Sequence, residues 1–201
     1  MSWPSPRTLR SERVSLEPLD QRHHDDLVKA VSDGELWNLW YTRVPSPEKM
    51  RDEIERRLAL QAQGSMLPFA VIDNAMGRAA GMTTYMNIDA QYQRIEIGST
   101  WYRKSVQRTD LNTQCKLLML TDAFDTLRCI AVEFRTHYLN YASRRAIERI
   151  GAKLDGVLRN HIRADDGTLR DTCVYSIIES EWPAVRSHLQ WQLAQPRPPQ
   201  I

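Results

Sequence analysis

Between residues 68 and 102 three runs of strand-forming residues follow one another with only turn residues between them: Pro68-Phe-Ala-Val-Ile-Asp73, Ala79-Ala-Gly-Met-Thr-Thr-Tyr-Met86 and Arg94-Ile-Glu-Ile-Gly-Ser-Thr-Trp-Tyr102. Runs of this length, rich in β-branched and aromatic residues and punctuated by Gly, Asn and Asp, pair as an antiparallel meander. Such a meander must bury its apolar faces, so the flanking sequence has to supply helices and further strands.

It supplies both. Arg13-Val-Ser-Leu-Glu-Pro-Leu19 alternates apolar and polar positions and predicts a first strand with Val14 and Leu16 on one face, after which Asp20 caps a short helix. Ser46-Pro47-Glu48 places a capping hydroxyl, a proline and a carboxylate at a helix start, and Gly64 stops that helix near Gln63. After the meander, Leu117, Leu120, Phe124 and Leu127 recur at helical spacing over Thr113 to Leu127. Ile130 to Thr136 reads as a strand and Ala142 to Ile150 as a helix closed by Gly151. Val157–Ile162 and Thr172–Ile178 read as a hairpin, and Glu181 to Leu193 as a last helix. The order describes one α+β domain over residues 1–201, with a core from about 9 to 192. Pro4 and Pro6 at one end, and Pro196, Pro198 and Pro199 at the other, predict loose tails.

Charge and cysteine usage narrow the function classes. Twenty-seven basic residues against twenty-five acidic ones lie scattered along the chain, which argues against a nucleic-acid partner. The three cysteines, Cys115, Cys129 and Cys173, are far apart and odd in number, which speaks against a disulfide framework or a CxxC metal site and for a reducing, cytoplasmic setting. No apolar run approaches the roughly 20 residues that span a bilayer, and the first residues lack the apolar stretch of a signal peptide. Neither a membrane nor a metal is expected.

The stretch joining the third run to the next helix, Tyr102-Arg-Lys-Ser-Val-Gln-Arg-Thr-Asp-Leu-Asn-Thr-Gln-Cys-Lys116, concentrates hydroxyls, an amide and cations at a helix start. The unpaired N–H groups of a first turn and about half a positive charge make such an end an anion site, and Arg103, Lys104 and Arg108 add charge suited to phosphate. The same letters also describe an ordinary capped helix with solvated neighbours.

Three ordered motifs resolve that ambiguity. Gln107-Arg-Thr-Asp-Leu-Asn112 occupies the place of the phosphate loop of the GNAT superfamily, a glutamine or arginine followed by x-x-Gly-x-Gly/Ala. Glu96-Ile97-Gly98 followed by Trp101 resembles the strand before that loop in the RimJ/RimL-type acetyltransferases, and Asn140-Tyr-Ala-Ser143 through Ile150-Gly151-Ala152 resembles their Asn-x-x-Ser helix. Leu154 to Arg159, Asp166-Gly167, Arg170-Asp171 and Tyr175-Ser176 continue the likeness, which covers about Arg7 to Leu189.

The resemblance implies the GNAT fold: a mixed, mostly antiparallel, twisted central sheet flanked by helices, with a V-shaped opening between two central strands for the pantetheine arm. It implies acetyl transfer from acetyl-CoA to an amine by direct attack, the acceptor being a small amine or a protein N-terminus, with a homodimer left open. It further assigns the cofactor's pyrophosphate to Gln107, Arg108, Thr109, Asp110, Leu111, Asn112 and Thr113, and its pantetheine to Asn140, with Trp101 and the strand backbone from Ser99 beside the thioester. Glu96 is the candidate base, acting directly or through a water; otherwise it is an exposed strand carboxylate or a partner of Arg94 or Arg135. Ser143 is the candidate acid for the leaving thiolate, since Ile147 stands where many relatives carry a tyrosine; otherwise it is a helix-start serine.

The sequence departs from the family pattern at Asp110 and Asn112, which replace glycine and a small residue. Aspartate tolerates positive φ, but its carboxylate would repel a diphosphate unless it turned to solvent. The alternative that follows is a noncatalytic acyl-CoA-binding or interaction module. His23-His24-Asp25-Asp26 predicts a solvated helix start, because adjacent helical positions diverge. His137 and His161 border the expected acceptor cleft, Trp37, Trp40 and Tyr41 suit core packing or an aromatic clamp, and Cys115 is assigned to packing.

Overall fold

The computed structural model describes residues 3–164 and 166–195, so the calls on Pro196, Pro198 and Pro199 lie outside the described residues. The chain opens on two short antiparallel strands, β1 (Leu9–Arg10) and β2 (Val14–Pro18), with Val14 and Leu16 fully buried as their alternation requires. β1 was not foreseen, because two residues carry no period. The segment before it is not a loose tail: Pro4 is buried, Trp3 packs against the core, and Arg7 pairs with Asp122.

Asp20 accepts the Arg22 N–H and opens a 3-10 turn that runs into α1 (His24–Ser32). His23 departs from the solvated role expected of it, because its Nδ1 meets the Asp20 N–H and its Nε2 lies 3.3 Å from Glu17 in a buried position. Pro47 begins a turn that leads into α2 (Met50–Ala62). Ser46 makes no side-chain cap there; its hydroxyl meets the Glu48 carboxylate and holds that acid below its usual range.

The meander then appears as expected: β3 (Met66–Asp73), β4 (Arg78–Asp89) and β5 (Arg94–Tyr102), all antiparallel. Next come α3 (Leu111–Thr121), a π-turn over Asp122–Thr126, β6 (Ala131–His137) and α4 (Tyr141–Arg149). β7 (Lys153–Arg163), β8 (Leu169–Ile178) and α5 (Trp182–Ala194) complete the chain. α3 starts two residues earlier than its spacing suggested, and the stripe it buries is Leu111, Cys115 and Met119 with Leu120, while Leu117 is only half-buried.

All eight strands form one sheet in the order β1-β2-β3-β4-β5-β6-β8-β7, and only β5 and β6 run parallel. α3 and α5 bury one face against Tyr85, Ile97, Phe134 and Tyr175; α1 and α2 bury the other against Ala70, Met82 and Trp101. Among the described residues no helix is long and apolar enough to cross a membrane.

Candidate active site

The site begins at a defect in β5. Met82 pairs with Trp101 and Thr84 with Gly98, so two residues, Ser99 and Thr100, oppose Thr83 alone. This is a β-bulge, and Ser99 sits at a φ of 47°, a region that non-glycine residues rarely occupy. The bulge redirects β5, which pairs with β6 only from Arg94 to Glu96 against Ala131 to Glu133. Beyond that point the two strands part, and the gap between them is the opening that the sequence led us to expect.

Glu96 lies at the apex. Its side chain is buried, its Oε2 accepts a 2.6 Å hydrogen bond from Asn87 Nδ2, and Arg135 Nε stands 3.5 Å away. Burial lifts its pKa above the ordinary carboxylate range, and Asn87 and Arg135 only partly offset that lift. Of the ordinary roles considered for Glu96, the exposed carboxylate does not hold, and Arg94 pairs instead with Glu133 at 2.6 Å. A Cβ at Gly98 would come 2.8 Å from Glu96 Oε1 and 2.7 Å from Met86 Sδ, so only glycine lets the carboxyl sit where it does.

The bulge is fastened from α2. Arg57, fully buried, donates from Nε to Glu53 at 2.7 Å, from Nη1 to Thr84 Oγ1 at 2.7 Å, and from Nη1 and Nη2 to the Ser99 carbonyl at 3.3 and 3.4 Å.

At the far end of the opening, the chain from Gln107 to Thr113 turns into α3. Gln107 Nε2 donates to the Tyr102 carbonyl and Thr109 Oγ1 to that of Val106, while the Leu111 N–H reaches Thr109 Oγ1. The positive φ needed for the turn falls on Arg108, at 62°, and not on Asp110, which is helical at φ −75°. Asp110 makes no side-chain cap; its carboxylate faces Arg13 Nε at 3.7 Å, inside a depression of about 480 Å³ that Glu12, Asn74, Ala75 and Gln114 also line. Leu111 and Thr113 are fully buried, so they present only main-chain groups, and the Thr113 hydroxyl has no hydrogen-bond partner among the described residues. Asn112 lies within the first turn and caps nothing. Arg103, expected to add charge for a phosphate, is tied to Asp33 at 3.0 Å.

α4 starts differently. Asn140 Oδ1 accepts the Ser143 N–H at 3.0 Å and so closes its own helix. Its Nδ2 makes no hydrogen bond among the described residues, and neither does the half-buried Ser143 hydroxyl. Ile147 is buried in the core, which accounts for an apolar residue at that position.

Against this geometry, the Acetyltransferase (GNAT) domain model matches residues 13–153. The chain belongs to the GNAT acetyltransferase family. It is similar to a GCN5-related N-acetyltransferase from Brucella melitensis, with a TM-score of 0.85 at 32% identity over 95% of this chain and 87% of the other. Mycobacterium smegmatis RimJ in complex with CoA-disulfide gives a TM-score of 0.78 at 19% identity over 93% and 95% of the two chains. RimL, an alpha-N-protein acetyltransferase of a ribosomal protein, gives 0.75 at 18% over 89% and 97%. At these identities RimJ and RimL bear on the fold alone. No curated protein matches. This GNAT protein is therefore an N-acetyltransferase of a family that uses acetyl-CoA.

In this acetyltransferase the aromatic residues before α2 are not all core. Trp37 packs against the α1/α2 core, but Trp40 is 63% exposed and meets the His137 ring edge-on at 5.2 Å, with Tyr41 at 6.4 Å. His137 is nearly buried, and burial lowers its pKa. His161, on β7, is exposed and lies 3.1 Å from Thr172 Oγ1. Trp101 is buried among the α1/α2 residues, which leaves only its backbone for a ligand. Cys115 is buried and its thiol is pushed up to about 12, as packing predicts. Among the described residues no group of His, Cys, Asp and Glu could hold a metal ion.

Two residues stand in the stretches quoted above but were given no role of their own from the sequence. Lys116 is buried on the opposite face of the sheet from Glu96, donating to Thr100 Oγ1 at 3.2 Å and Thr83 Oγ1 at 3.4 Å, and burial brings its pKa down to about 8. Arg170, on β8, has its Nε buried without a hydrogen-bond partner among the described residues, and burial lowers its pKa while Glu96 partly restores it.

Proposed function

We propose that the chain transfers the acetyl group of acetyl-CoA to a primary amine by direct attack in a ternary complex. One observation carries this reading above the others: a buried carboxyl, Glu96, at the apex of the gap between β5 and β6, with its pKa raised towards the range where a base works near neutral pH.

The residues present suit the donor. The first turn of α3 has main-chain N–H groups that the Asp110 side chain does not cap, only that of Leu111 meeting Thr109 Oγ1, a setting that favours a diphosphate, and the Arg108 φ of 62° shapes the turn that leads to it. Asp110 is turned to Arg13 and away from the turn, which supports a donor site there over a noncatalytic module. Asn140 retains its Nδ2 for an amide carbonyl of the pantetheine after using Oδ1 as a cap. When bound, acetyl-CoA supplies an activated acyl carbon and a thiolate leaving group.

Glu96 takes the proton of the incoming ammonium, directly or through one water, so that the nitrogen lone pair can form the N–C bond. The bulged backbone from Ser99 to Trp101 offers N–H groups to the oxygen on which negative charge develops. Ser143 supplies a proton to the sulfur as the C–S bond breaks. RimL acts on the N-terminus of a ribosomal protein; here the acceptor is either such an N-terminus or a small amine. The test is turnover of acetyl-CoA with a panel of amines and peptides. Glu96→Gln should abolish most of it while leaving CoA affinity intact, and equal turnover by the variant would reject Glu96 as base.

A further inference from the structure

The bulge in β5 is gripped from both faces of the sheet, and the two grips differ in what they cost. From the α2 side Arg57 holds the Ser99 carbonyl, and its charge is met by Glu53 at 2.7 Å. From the α3 side Lys116 Nζ donates to Thr100 Oγ1 at 3.2 Å and to Thr83 Oγ1 at 3.4 Å, with no carboxylate beside it among the described residues. Thr100 is the second bulged residue, and Thr83 is the residue of β4 that the bulge opposes.

The fold does not need this cation. An ammonium buried against two neutral hydroxyls opposes folding, and the lowering of its pKa to about 8 reflects that cost. Thr83 and Thr100 lie 2.8 Å apart, and Thr100 Oγ1 reaches the Gly98 carbonyl at 3.3 Å, so both hydroxyls have partners without Lys116. An unbranched apolar side chain would fill the same place without a charge.

What lysine adds is direction. An ammonium can only donate, so both hydroxyl oxygens accept from it and the Thr100 proton is left for the Gly98 carbonyl. With Arg57 on the Ser99 carbonyl, three successive residues, Gly98, Ser99 and Thr100, are then fixed. They surround the Ser99 φ of 47°, a backbone conformation that persists only where its surroundings enforce it.

We propose that Lys116 is a positioning residue for acetyl transfer: acting through Thr100, it holds the bulged backbone from Ser99 to Trp101 in the form that presents its N–H groups to the acyl oxygen. This role rests on the bulge facing the thioester, as in the proposed function.

The test sets rate against stability. Lys116→Met should raise Tm at pH 7 and yet lower kcat and kcat/KM together by about ten- to hundredfold, with the affinity for CoA unchanged. Thr100→Val removes the same contact from its other end and should slow the reaction to a similar degree. Because the two residues act as a unit, the double variant should be no slower than the slower single one. Infrared spectra of bound acetyl-CoA, isotopically labelled at the acetyl carbonyl, read the bulge without turnover. N–H groups aimed at the acyl oxygen lower the carbonyl stretching frequency, and Lys116→Met should return the band towards that of free acetyl-CoA.

A Lys116→Met protein with native kcat, or one that loses Tm and rate together, overturns the proposal. So do additive losses in Lys116→Met and Thr100→Val, or a carbonyl band that Lys116→Met leaves in place. A native band no lower than that of free acetyl-CoA rejects the bulge as the donor to the oxyanion, and the role of Lys116 with it. Glu96→Gln separates the base from the bulge: it should slow the reaction and leave the band where it is. Undiminished turnover in Glu96→Gln, with a slowed, stabilised and band-shifted Lys116→Met, would reject the base and keep the positioning role.

Discussion

The two faces of β5 each hold a buried ionisable group, and the groups are treated in opposite ways. On the face covered by α1 and α2, Glu96 has Asn87 and Arg135, and Arg57 close by has Glu53, Thr84 and the Ser99 carbonyl. On the face covered by α3, Lys116 has only the hydroxyls of Thr83 and Thr100. Burial shifts both Glu96 and Lys116 towards their neutral forms. A shifted pKa therefore does not by itself mark a catalytic group. What separates the two is surroundings: Glu96 lies where β5 and β6 part and arginines gather, whereas Lys116 lies in the core with no carboxylate near it among the described residues.

The largest effect should come from the group at the opening. Glu96→Gln keeps the shape and the Asn87 contact and removes the base, so kcat/KM should fall by about 10²- to 10⁴-fold. Because the Glu96 pKa is raised, kcat/KM in the native protein should climb with pH through a step above the usual glutamate range, and that step should vanish in the variant. For stability the sign is opposite: the raised carboxyl favours the fold below its unfolded pKa, and the benefit is lost as pH rises through the folded value. A pH profile unchanged by Glu96→Gln would place the base elsewhere and break the contrast.

Stability sharpens it. Arg57→Met removes one partner of a buried network, leaving Glu53 to Arg56 alone and stranding Thr84 Oγ1 and the Ser99 carbonyl, so unfolding should show a loss of about 3 kcal/mol. Lys116→Met should do the reverse. A lowering of the Lys116 pKa from 10.5 to about 8 corresponds to an opposition to folding of about 3 kcal/mol below pH 8. This cost fades as pH rises from about 8 to beyond the unfolded value, where lysine is neutral in both states. Lys116→Met should thus raise Tm at pH 7, by less than the full figure because Thr83 and Thr100 lose a donor, and the gain should shrink towards pH 10. A destabilised Lys116→Met protein with unaltered packing would mean that the two faces are not treated differently.

How much of this contrast could be read from the sequence depends on the length over which the signal repeats. The meander, β6 and α4 were legible because alternation or helical spacing persists through them, and Gly151, at φ 95°, closes α4 as expected. β1 is two residues long and had nothing to repeat. Glu96, Asn140 and Ser143 were legible only through their likeness to a family, since a glutamate within Arg94-Ile-Glu-Ile could equally have been an exposed strand residue. Lys116 and Arg170 stand in stretches that were read, but the burial of neither was legible. A single cation on a helix or strand gives no clue to what faces it, and the burial of Arg170 Nε is set by tertiary packing. Trp40 misled in the other direction: its apolar ring suggested core, yet it stands exposed against His137.

The smallest expected effect tests the start of α3, on the side of β5 where Lys116 is buried. Sequence alone sets an Asp110 carboxylate against a bound diphosphate, but the side chain is turned to Arg13. Asp110→Asn should therefore change CoA affinity by less than about threefold, within the range of a charge near a helix terminus. Arg13→Ala, by contrast, frees the carboxylate to swing towards the loop and should weaken CoA binding, and the double variant should recover it. Equilibrium binding of CoA at two salt concentrations separates the cases, because only a carboxylate facing the phosphates gains from screening. If Asp110→Asn alone tightened CoA binding tenfold, Asp110 would be opposing the ligand in the native protein. The α3 face would then contain a second charge with no adequate partner, and the arrangement at Lys116 would be the rule for that side of the sheet.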